Sequence, residues 1–230
     1  MALLLLLCAS CHRATPPVPL GEPSAWRVVV AGDRARAVPE PGLNARVLAL
    51  IDGYPERGFG GYAWPSRRGF DGTSRDLRLG RTLIARGGRG NHCVGMTFEV
   101  FWRALESCPG GTQGVFDTRS ARAFRLRWYV PDPKGTGPAE VLPKYKLGTP
   151  VALADARPGD FVQAWNRDGS FGHSMVFLGW ERDRAGALTK IRYWSSQPWT
   201  EGIGTSDMPI GDGGFDPAHI YIARATCPRP

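Results

Sequence analysis

From Cys93 onward the apolar residues Val94, Phe98, Phe101, Trp102 and Leu105 recur at the spacing of one face of a helix. The glycine-rich run Gly87-Gly88-Arg89-Gly90 just before them interrupts regular structure, so the predicted helix starts at or beside Cys93. Shorter helical patterns cover Leu43–Ile51, Leu77–Ala85, Phe116–Tyr129 and Ala139–Lys146. Then the period changes. Phe161–Trp165 and Gly172–Leu178 read as strands joined by a hairpin loop, Asn166–Ser170. A turn over Glu181–Gly186 leads into a strand at Leu188–Ser196, and a last segment, His219–Ala225, is expected to close the sheet. Upstream, Trp26–Val30 reads as a short strand, and Gly58–Gly61 as a turn-rich approach to Tyr62-Ala63-Trp64-Pro65. Helices first and an antiparallel meander afterwards predict an α+β fold.

Composition changes this picture little. The 230 residues suffice for one core domain, and 30 glycines and 20 prolines, scattered without a repeat, indicate a loop-rich globular chain. The net charge of +8 is spread out, with no basic block interleaved with aromatics, which argues against a nucleic-acid partner. The glycines carry no Gly-Lys-Ser/Thr and no strand–turn–helix fingerprint, which argues against a nucleotide site.

The N-terminus matters more. Residues 1–11 are a leucine run closed by small residues, too short to span a bilayer, and read as a secretory leader. Cys8-Ala9-Ser10-Cys11 resembles a bacterial lipobox, so export to the cell envelope is expected, with a lipid anchor on Cys11 as the membrane contact. Residues 12–25, rich in proline, read as a tether, and 26–230 as a single domain. Setting the leader cysteines aside leaves Cys93, Cys108 and Cys227. In an oxidising compartment these imply one disulfide, expected between Cys108 and Cys227, and one free thiol, Cys93.

A thiol at a helix N-terminus has its anion favoured by the helix dipole and by free N–H groups, which can also hold a substrate oxyanion. A nucleophilic thiol further needs a base, and His173, opening a strand, is the candidate. Alternation along Ile191–Gln197 puts Tyr193, Ser195 and Gln197 on one face, so Gln197, or Ser195 more weakly, can orient the imidazole. His92, next to Cys93, is ranked substrate-side or structural; His219 is a second candidate base, and His12 lies in the tether. Asp160, in a Gly-Asp pair before a strand, reads as structural. A zinc site from His92, Cys93 and His173 is disfavoured because no close ligand pair has metal-site spacing.

The order Cys93, then Arg157-Pro158-Gly159-Asp160-Phe161-Val162, then Gly172-His173-Ser174-Met175-Val176-Phe177-Leu178-Gly179, resembles the NlpC-type papain-like cysteine peptidases and the related CHAP amidases of bacterial cell walls. Tyr62-Ala63-Trp64 is similar to the aromatic motif those enzymes carry before the nucleophile, while His92-Cys93-Val94-Gly95 stands where Asp-Cys-Ser-Gly is usual. The resemblance implies a papain-like (NlpC-type) core with helices packed on an antiparallel sheet or half-barrel. It implies catalysis by Cys93, His173 and Gln197 or Ser195, with Tyr62, Trp64 and His92 lining the substrate cleft. It implies no cofactor and no metal, and cleavage of a peptide or amide bond in peptidoglycan. Two alternatives remain open at this point: acyl transfer on the same site, and an envelope lipoprotein that binds without catalysis. Oligomeric state is not legible.

Overall fold

The computed structural model describes residues 42–55, 57–64 and 69–228, all within one compact unit, Pro41–Pro230. The leader, the tether and the strand expected at Trp26–Val30 lie outside these residues. In chain order the elements are α1 (Asn44–Asp52), β1 (Arg57–Gly60), β2 (Leu77–Leu79), β3 (Thr82–Ala85), α2 (Cys93–Glu106), α3 (Thr118–Trp128), α4 (Pro138–Lys144), β4 (Gly148–Val151), β5 (Phe161–Trp165), β6 (Gly172–Arg182), β7 (Leu188–Gln197), β8 (Gly202–Pro209) and β9 (Ile220–Ala225). The fold is α+β: a seven-stranded sheet in the order β1-β8-β7-β6-β5-β9-β4, with a separate β2–β3 hairpin. Neighbouring strands in both sheets run antiparallel.

Helix α2 is largely apolar and buried around nearly its whole circumference, the pattern of a helix enclosed by its surroundings. From Val94 to Leu105 only Arg103 escapes burial. Phe101 stacks on Trp128 of α3 at 4.8 Å and meets Phe161 of β5 edge-on at 5.9 Å. Val176 and Trp194 complete the sheet's contribution to this core. The opposite face of the sheet carries Val162, Ala164, Met175, Phe177 and Tyr193, covered by Phe215 with Met208 and Ile210. Both faces are therefore buried over the central strands, which explains why β5 and β6 read as nearly continuous apolar runs.

Two buried carboxylates tie segments distant in sequence together. Glu99 on α2 accepts from Tyr54 Oη at 2.5 Å and from Ser74 N and Oγ at 2.6 and 2.8 Å. Asp160 accepts from Arg224 Nε and Nη2 (2.9 and 2.8 Å), from Asn44 Nδ2 (2.8 Å) and from the Arg157 N–H (2.8 Å). It thus joins α1, the turn before β5 and strand β9, the structural role expected of the Gly-Asp pair. Cys108, just beyond α2, is bonded to Cys227, just beyond β9, across 119 residues, and Cys93 is free.

Three sequence expectations are corrected. Leu77–Ala85 is a hairpin, not a helix: Gly80 at φ 56° turns the chain, and Leu77 and Leu79 are buried while Arg78 faces out, a two-residue period that outweighs the short apolar run. The Gly58–Gly61 region is not only a turn, because Arg57–Gly60 pairs with β8 at the sheet edge. His219–Ala225 does not close the sheet: its strand, Ile220–Ala225, fills an interior slot between β5 and β4.

A disulfide closing so long a loop restricts the unfolded chain strongly. The Cys108→Ser/Cys227→Ser double variant is expected to lose about 4 kcal/mol of unfolding free energy, read by urea denaturation without reductant.

Candidate functional site

Cys93 is the first residue of α2, and His92 is its N-cap: the imidazole Nδ1 accepts from the Gly95 N–H at 3.2 Å. The segment around Gly72 lies directly over this helix start, and the His92 N–H donates to the Gly72 carbonyl. Such closeness requires glycine on both sides, since a Cβ on Gly72 would fall 2.0 Å from His92 Nε2 and one on Gly95 2.3 Å from the Gly72 oxygen. Trp64 meets the His92 ring edge-on at 4.9 Å and is well exposed. Tyr129 meets it from another side at 6.1 Å while donating to the Asp71 carbonyl at 2.7 Å. His92 is therefore a helix cap under an aromatic cover. Burial holds its pKa down at about 4, partly offset by the charge of Asp71.

The Cys93 residue keeps part of its surface open, but the sulfur is desolvated, and that burial pushes the thiol up. The backbone N–H groups of Ser174, Val94 and Cys93 itself point at the sulfur and act in the opposite direction, favouring the anion. Burial outweighs them, so the resting site holds a thiol rather than the thiolate expected at a helix tip. The half-buried Tyr62 hydroxyl is pushed up to about 12 by burial and by the negative charge that Cys93 can carry. Tyr62 bridges to Asn91 in a parallel sense, which fixes it beside the helix start.

His173 lies near the start of β6 and is buried, and its Nε2 is 3.3 Å from Gln197 Oε1. The Gln197 amide is oriented by its own Nε2, which donates to the Gly204 carbonyl at 3.3 Å, so the oxygen faces the ring. That assigns the proton to His173 Nε2 and leaves Nδ1 as the basic nitrogen. Burial holds the His173 pKa at about 4, with the Gln197 bond acting slightly the other way. Ser195 does not share the orienting role, because its hydroxyl donates to the Ser174 carbonyl at 2.7 Å. Of the two candidates for that role, the geometry favours Gln197.

Strand alternation separates the two main candidates. On β6, Val176 belongs to the core around α2, whereas Met175 and Phe177 belong to the other face. His173 follows Met175 and Phe177: its ring packs 5.4 Å from Tyr193 and 5.9 Å from Trp199. The β6 group that meets the Cys93 sulfur is the Ser174 N–H, which lies in the plane of the sheet. The sequence expectation had the imidazole leaning toward the helix end; the two-residue period turns it to the far face. Thiol and imidazole thus approach the same short stretch of β6 from opposite sides.

Buried polar groups that sequence reasoning passed over surround this stretch. Ser174 Oγ donates to Gln163 Oε1, Ser196 Oγ donates to Asn91 Oδ1, and Asn91 Nδ2 donates to the Phe59 carbonyl at 3.0 Å. Asn91 so clamps β1 and β7 to the start of α2. Alternation read from His173 gives Ser174 to the helix face, but nothing local in the sequence marks Asn91. His219, the second candidate base, pairs instead with Asp216 at 3.1 Å. Among the described residues no cluster of three or more His, Cys, Asp or Glu could hold a metal ion, and no helix is long and apolar enough to cross a membrane.

Compared with known proteins, the chain matches no family model, no curated protein and no solved structure.

Two buried neutral histidines set an acid limit on stability. Both fold with pKa values near 4, below the unfolded value of about 6.5, so between these values the unfolded chain binds protons that the folded chain refuses. Stability is fully present above about pH 6.5 and falls as pH drops toward 4, by about 1.4 kcal/mol per pH unit for each histidine. Urea titrations between pH 7 and 4 are expected to show a shallower slope in His173→Asn than in wild type; the slope, not the absolute stability, is the readout.

Proposed function

We propose that the protein is a cysteine hydrolase that cleaves an amide or peptide bond, with peptidoglycan as the substrate the resemblance favours and a papain-like arrangement of its core. The observation that carries this reading is the convergence of three backbone N–H groups on the sulfur of Cys93, the free cysteine among the described residues, at the start of α2, together with a His173 ring whose Nε2 faces Gln197 Oε1 and whose Nδ1 is left to accept a proton. In the reaction, His173 Nδ1 takes the Cys93 proton as Sγ bonds to the carbonyl carbon, and the π electrons move onto oxygen. The N–H groups of Cys93 and Val94 receive that oxyanion. Collapse expels the amine, which takes the proton from Nδ1, and water then hydrolyses the thioester by the same relay. Tyr62 and Trp64 line the approach, with His92 enclosed behind Trp64 as the cap of the helix.

This sequence requires sulfur and imidazole to meet past the Ser174 backbone. The β6–β7 ladder runs from Val176↔Trp194, while Gly172–Trp165 to Phe161↔Val176 join β6 to β5. The start of β6 is thus held in the sheet mainly from one side, and its displacement is the conformational step the reading depends on. The opposed faces also favour a second reading, an envelope lipoprotein that binds its ligand without catalysis. Export and a lipid anchor on Cys11 belong to both readings.

Digestion of purified peptidoglycan, with mass analysis of the released fragments, separates them. Wild type is expected to release fragments that Cys93→Ala and His173→Ala do not, and Gln197→Ala is expected to act about 10- to 100-fold more slowly. Fragments persisting unchanged in Cys93→Ala would remove the mechanism. With the thiol raised, iodoacetamide labelling of the substrate-free protein is expected to rise only above the ordinary cysteine pKa of about 8.5.

A further inference from the structure

Two exposed aromatic rings stand over His173 on the face of the sheet turned away from α2. Phe171 lies nearly parallel to the His173 ring at 6.1 Å, and Trp199 lies 5.9 Å from that ring and 6.5 Å from Phe171. They are 37% and 41% exposed, high for rings of this size held so firmly. Phe171 stacks on buried Phe215 at 6.0 Å, and Trp199 Nε1 donates to Ser206 Oγ at 2.9 Å, so both are fixed in place. Phe171 is also one wall of a cleft of about 580 Å³ whose other walls include Asn166, Arg167, Asp168, Asp212 and Asp216. A fixed apolar corner, its two rings inclined at 46°, thus adjoins a trough of hydrogen-bonding groups.

We infer that this surface is a glycan subsite, taking a neutral sugar segment. The chemistry selects among ligands. A wholly apolar ligand would strip water from a guanidinium and three carboxylates without replacing it. An anionic peptide would meet Asp168 and Asp212 against the single guanidinium of Arg167, Asp216 being paired with His219, a net repulsion. A neutral sugar segment satisfies both parts: the C–H face of one ring lies on Phe171 with Trp199, inclined 46° to it, closing against the ring's edge, and its rim hydroxyls donate to Asp168 and Asp212 or accept from Arg167. The inference deepens the proposed hydrolase reading, and rests on it for the claim that the bound sugar lies next to the bond being cut. The sugar contact itself stands on the aromatic and polar groups alone.

The test is calorimetric titration of the full chain with a β-1,4-linked N-acetylglucosamine tetramer and, separately, with an acidic tetrapeptide. The tetramer is expected to bind, and Trp199→Ala and Asp212→Asn each to weaken it by about tenfold, while the tetrapeptide does not bind. Both substituted residues are exposed, and unchanged melting temperatures would verify that the variants fold. The inference is overturned if the tetramer fails to bind, if both variants bind it as wild type does, or if the tetrapeptide is the ligand that binds. Repeating the titration on Cys93→Ala separates the two claims: tetramer binding retained there, with peptidoglycan left uncut by wild type, sinks the hydrolase reading and leaves the glycan subsite standing.

Discussion

Enclosure of α2 is the constraint on which the rest of the protein depends. A helix apolar on nearly every side is stable in water only when those sides are covered. Here α1, α3 and the sheet supply the cover, and the loop around Gly72 closes over its tip. Because the helix cannot rotate or slide without exposing aromatic surface, its first residue is placed as firmly as any atom in the core. Glu99 reinforces this from within: a buried carboxylate on such a helix demands partners, and Tyr54 and Ser74 are drawn to it.

The same enclosure sets the electrostatics of the tip. N–H groups gather around the Cys93 sulfur, yet the loss of water there exceeds what they return. His92 and His173 are held neutral for the same reason. The tip therefore stores no charge until something brings a proton acceptor or a developing anion to it. A site of this kind is selective for groups that carry their own polarity inward.

Legibility in the sequence follows the range of each interaction. The period of α2, the short apolar runs of β5 and β6, the alternation along β7 and the residual pairing of Cys108 with Cys227 are local or arithmetic signals, and each appears in the structure. Leu77–Ala85 has the pattern of a helix and the structure of a hairpin, because nine residues hold too few turns to separate the two. Strands β4 and β8 carry no strong alternation of their own; they are made by what lies beside them. The candidate site was legible in its residue types, and Gln197 in its role toward His173, but not in its facing. A single step along β6 exchanges His173 for Ser174 beneath the sulfur, and only the register of the whole sheet decides that step. Asn91 was invisible because its partners, Phe59 and Ser196, are far away in sequence.

The position of β9 has a consequence for how the molecule comes into being. Among the described residues strand β4 pairs in the sheet with β9 alone, and β5 lacks one of its two neighbours until β9 arrives. A growing chain that has not yet delivered residues 220–225 therefore carries two bare strand edges, each able to capture a stray strand from another molecule. Completion of the sheet is deferred until nearly all of the described chain exists, and a protein cut short before Ile220 would remain sticky rather than merely less stable.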